Sequence, residues 1–110
     1  MKLICTPLTL EGRYLLNVDD CPDSLLECVA LTREEHEQIL ESGALEAINT
    51  TLGKIIDDYG DEAIHNIEDL TKTLSILKKY LTLENSPTTR KLIDLNILAI
   101  KNRTGLFFFF

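Results

Sequence analysis

The chain ends on Leu106-Phe107-Phe108-Phe109-Phe110, and four consecutive phenylalanines restrict what the rest of it can build. Successive side chains of a strand point to opposite faces, so this run, if extended, is apolar on both. It suits a strand covered on both sides and not a solvent-facing edge. Each buried phenyl is worth about 1.5–3 kcal/mol, so the fold should supply neighbouring strands and helices packed on at least one face.

Helices able to give that cover are visible in the apolar spacing. Ile67, Leu70, Leu74, Leu77 and Leu81 form one stripe, with Lys72 and Lys79 on the opposite, solvated side. Leu45, Ile48, Leu52, Ile55, Ile56 and Tyr59 form another, predicting a helix from Ala44 to Tyr59 ended by Gly60. Asp61 to Asn66 would add a short helical turn. Thr32 and Glu35 have capping-box spacing and start a helix to about Glu41, interrupted by Ser42-Gly43. Ser86 as N-cap with Pro87 behind it starts a last helix through Leu92, Leu95 and Ala99, ending near Thr104-Gly105.

Two N-terminal runs read as strands, Lys2 to Thr6 and Arg13 to Val18, the second preceded by the turn-like pair Glu11-Gly12. Asp19 to Asp23 reads as a loop. Residues Leu25 to Leu31 are too short an apolar run for periodicity to separate strand from helix, and a strand is preferred for Glu27 to Leu31. With 110 residues the expectation is one α+β domain: a small sheet of N-terminal strands and the C-terminal Phe-rich strand, packed against about four helices.

The first residues lack a signal-peptide apolar run, and no segment approaches the ~18 apolar residues of a membrane span. Cys5, Cys21 and Cys28 are an odd set without a C-x-x-C pair, which predicts buried, reduced thiols and a cytoplasmic location.

Motifs for chemistry are weak. Asp57-Asp58-Tyr59-Gly60-Asp61 has the D-D-x-x-D spacing of isoprenoid synthases but straddles a predicted helix end. Cys21, Cys28 and His36 match no common zinc spacing. Asp61 and His65 could pair on a helix, which is an ordinary surface arrangement, and no nucleophile is assigned. No phosphate-binding or nucleophile-elbow motif occurs. The chain is therefore not expected to be an enzyme, with no catalytic residue, no cofactor and no metal.

Charge is the informative feature. Residues 1 to 69 hold sixteen of the eighteen acidic residues and four of the eleven basic ones, a net of −12, while residues 70 to 110 carry +5. The acidic part should favour a cationic partner and repel nucleic acid and anionic membrane. Glu34, Glu35, Asp61, Glu62, Glu68 and Asp69 fall near predicted helix starts, where negative charge is stabilising. Asp57 and Asp58 fall at a predicted helix C-terminus, where it is not, so Asp57, Asp58, Asp61 and Glu62 are the expected partner-binding residues.

In size, acidity and lack of catalytic motifs the chain resembles the small immunity proteins of bacterial toxin systems, including contact-dependent inhibition. That resemblance implies a monomer or weak homodimer that neutralises a cognate toxin with a basic surface, a nuclease above all, without nucleic acid or membrane as partner. The segment Val29-Ala30-Leu31-Thr32-Arg33-Glu34-Glu35-His36-Glu37-Gln38-Ile39-Leu40 is also similar to strand-to-helix segments of small phage tail-fibre assembly proteins. The alternative it implies is an assembly chaperone or adaptor, and a small enzyme built on His65 or on the aspartate cluster is the third reading.

Overall fold

The computed structural model describes residues 2–57 and 60–110. Among them the order is β1 (Lys2–Pro7), α1 (Leu10–Asn17), a 3-10 turn (Asp23–Leu25), β2 (Leu26–Leu31), α2 (Arg33–Ser42), α3 (Ala44–Leu52), β3 (Asp61–Ile64), α4 (Ile67–Lys79), α5 (Ser86–Asn102) and β4 (Leu106–Phe109). This is an α+β fold. The strands form one antiparallel sheet in the order β2-β1-β4-β3.

The phenylalanine strand is interior, as its two apolar faces require. Phe107, Phe108 and Phe109 pair with Cys5, Ile4 and Leu3 of β1 on one side and with Ala63, Glu62 and Asp61 of β3 on the other. Gly105 admits the chain to that position, because a Cβ there would lie 2.8 Å from the Ile64 carbonyl oxygen. Thr104 Oγ1 donates to the Pro7 carbonyl at 2.6 Å and fixes the turn against the end of β1.

Alternation divides the sheet into two unlike faces. Leu106 and Phe108, with Ile4, Leu31 and Ile64, enter one core with Ile39, Leu45, Ile48, Leu70, Leu77 and Leu92 from α2 to α5. Phe107 and Phe109 lie on the opposite face, where α1 is the cover.

Glu35 secures the helical layer. Its carboxylate accepts from the Thr32 N–H at 3.0 Å, while Thr32 Oγ1 accepts from the Glu35 N–H at 3.1 Å, completing the expected capping box. Thr88 Oγ1 and Lys91 Nζ of α5 also donate to it, at 3.2 and 3.3 Å. These bonds, the backbone one first, hold its carboxyl below the usual pKa.

Several sequence expectations are corrected. Arg13 to Val18 is not a strand, since Arg13 to Asn17 belong to α1 and Val18 caps it; Thr9 Oγ1 accepts from the Gly12 N–H at 2.9 Å and starts that helix. The helix expected to reach Tyr59 stops at Leu52, with Gly53 in the left-handed region at φ 68°. Ile55 and Ile56 do not extend the stripe: Ile55 is 75% exposed, and Ile56 is 3% exposed, held by Asn49. Asn49 Oδ1 accepts from the Ile56 N–H at 2.8 Å and its Nδ2 donates to the Ile56 carbonyl at 2.9 Å. Asp61 to Ile64 is strand β3 and not a helical turn, because pairing with β4 outweighs local propensity. Asn85 precedes α5 at the position expected for Ser86, which is the first helical residue. Cys5 and Cys28, opposite each other in the β1–β2 register, form a disulfide, so the reduced-thiol expectation survives only for Cys21.

Candidate functional site

Three of the four expected partner-binding residues, Asp57, Asp61 and Glu62, are described, and they are placed differently. Asp57 is exposed and lies outside helix and strand, so no helix dipole opposes it. Asp58 falls outside the described residues. Asp61 opens β3 opposite Phe109, exposed, and makes no ion pair among the described residues. Glu62, opposite Phe108, is engaged by the chain itself: it accepts from the N–H groups of Ala63 and Ile55 at 3.0 and 3.4 Å and lies 3.8 Å from Lys54 Nζ.

What the fold brings to Asp61 is the end of α1. A groove of about 310 Å³ runs between that end and the β3–β4 edge, bordered by Leu16, Asp19, Asp61, Phe107 and Phe109. Its floor is aromatic, the Phe107 and Phe109 rings stacking with centroids 6.4 Å apart and planes 15° apart. Asp19 occupies the left-handed region at φ 55°, which Asp tolerates better than most residues. The Asp19 and Asp20 N–H groups donate to the Leu16 and Leu15 carbonyls at 3.2 and 2.8 Å, closing the helix directly beneath the two carboxylates. The last turn of α1 holds no basic residue. Negative charge at a helix C-terminus costs about 0.3–1 kcal/mol each, so helix stability does not explain this placement.

The His65 and Phe107 rings meet in a T-shaped arrangement with centroids 5.2 Å apart, and burial, then the charges of Arg13 and Lys54, hold the imidazole pKa below the usual value against the pull of Glu62. The Asp61 and His65 pair expected on a helix is absent as such, because Asp61 is in a strand. Among the described residues no three His, Cys, Asp or Glu side chains are grouped to hold a metal. Among the described residues no helix is long and apolar enough to cross a membrane.

Asp19 was not among the expected site residues. Its signal in the sequence is the pair Asp19-Asp20 closing a helix, which is invisible while Arg13 to Val18 is read as a strand.

No family model matches the chain, and no curated protein matches it. Its fold is similar to that of the Neisseria DNA mimic protein DMP12. The two chains superpose with a TM-score of 0.69 over 100% of each, at 16% sequence identity. That likeness shows the fold. Against the expectation that nucleic acid has no part in the choice of partner, this neighbour is named for imitating DNA.

Proposed function

We propose that the protein is a DNA mimic: it binds a DNA-binding protein on the surface that would otherwise contact nucleic acid. The observation that carries this reading is the exposed carboxylate of Asp19, just past the C-terminal end of α1 where stability of the helix disfavours it, bordering with Asp61 an aromatic groove. The fold shared with a protein described as a DNA mimic supports it.

Magnitudes define what kind of mimic this is. The long axis is 36 Å, the length of about one turn of B-DNA. Such a turn carries about 21 phosphate charges, at one per ~1.7 Å. The chain's net charge is −7, so it does not reproduce the charge density of a duplex along its length. It imitates locally, with a carboxylate patch in the acidic part of the chain. The activity is competitive binding and not catalysis, and the reading takes the protein to share a compartment with its DNA-binding partner.

The test is competition. Proteins from the host cell retained by the immobilised chain are eluted with duplex DNA, and the eluted partner is purified and titrated with both ligands. The reading expects mutually exclusive binding, with duplex DNA displacing the chain. A stable ternary complex of chain, partner and duplex would overturn it.

A further inference from the structure

We infer that the groove between the end of α1 and the β3–β4 edge receives a single long basic side chain, Lys or Arg, from the partner. The inference deepens the DNA-mimic reading and rests on it for the source of that side chain.

The face of the sheet opposite the core is only partly covered. The eight-residue α1 leaves Leu3 39% exposed on β1, beside the partly exposed Phe109 of β4. An apolar strip of this kind attracts a partner, and its rim states the partner's charge. Two features of the groove favour a cation: the Asp19 and Asp61 carboxylates on its border and the stacked Phe107 and Phe109 rings of its floor. Lys and Arg fit this combination because their stems are apolar and their heads cationic. The stem lies along the phenylalanines while the head meets the aspartates. At about 310 Å³ the groove is at the small end of ligand clefts, sized for a side chain and not for a strand or helix.

The probes are N-acetyl-arginine amide and N-acetyl-lysine amide, titrated into the isotope-labelled protein by NMR, with neutral N-acetyl-norleucine amide as control. Both basic probes should move the Phe107 and Phe109 ring resonances and the Asp61 amide along saturable curves, and norleucine should not. The doubly substituted Asp19→Asn, Asp61→Asn chain should bind them at least about five-fold more weakly, a loss typical of removing charge-assisted bonds. Asn also tolerates the left-handed conformation at position 19, and an otherwise unchanged amide spectrum verifies the fold. Equal shifts with norleucine, shifts centred elsewhere, or no loss in the double variant would overturn the inference. Because this titration uses no DNA and no partner protein, its failure is separable from failure of the competition experiment.

Discussion

The two faces of the phenylalanine strand have the same residue type and opposite uses. Phe108 is 3% exposed and packs with residues of α2 to α5, whereas Phe109, next in sequence, is partly open to solvent beside α1. Carboxylates differ in the same way. The Glu35 carboxylate, on the helical side, accepts three hydrogen bonds that hold α2 to its cap and to α5. The side chains of Asp19 and Asp61, on the other side, make no hydrogen bond or ion pair among the described residues. One face is built for stability, and the other is left with surface and charge to spare.

The largest expected effect separates the faces directly. Phe108→Ala should destabilise the protein by about 3–5 kcal/mol, the usual cost of emptying a packed aromatic site. Phe109→Ala should cost about 1–2 kcal/mol, because a partly exposed ring gains less from burial. Urea denaturation of both variants measures this, and equal losses would break the comparison.

Reduction is next. Cys5 shares the outer face with Phe107, and its bond to Cys28 closes 23 residues of sequence. Opening a loop of that length costs up to about 3 kcal/mol. The denaturation midpoint should fall on adding dithiothreitol in wild type and Cys21→Ser alike. An unchanged midpoint would mean that the bond contributes nothing to holding β2 on β1.

Legibility in the sequence follows the same division. The inner face was readable because its signals are local and redundant: the Thr32 and Glu35 capping box, the Ile67 to Leu81 stripe, and a phenylalanine run that no exposed strand accommodates. The outer face was not. Arg13 to Val18 carries the composition of a strand, and only Thr9 as a cap reverses it. β3 is Asp61-Glu62-Ala63-Ile64, whose strand character comes from pairing with β4 and not from its own residues. The opposition of Cys5 and Cys28 follows from a register that spacing does not encode. Gly53 was overlooked because Ile55 and Ile56 continue the helical period by coincidence.

Smaller effects sharpen the contrast between the carboxylates. Glu35→Gln should cost about 1 kcal/mol, as loss of a capping interaction does. The Glu35 pKa is lowered in the fold, so its contribution is present above the unfolded carboxylate pKa and lost as pH falls through the folded one. The variant should therefore show a shallower acid limb in stability against pH. Asp19→Asn with Asp61→Asn should change stability by less than about 1 kcal/mol, with a gain where the end of α1 is relieved of charge. A large loss from this pair would make those carboxylates structural.

The most direct test of the account is the affinity of the purified partner for wild type and for the Asp19→Asn, Asp61→Asn chain, measured across a series of salt concentrations. A DNA mimic that works through these carboxylates should bind more weakly as salt rises, and the double variant should bind more weakly at low salt with a shallower salt dependence. Its unfolding midpoint should stay near that of wild type. Equal affinity and equal salt dependence for the two chains would contradict the account.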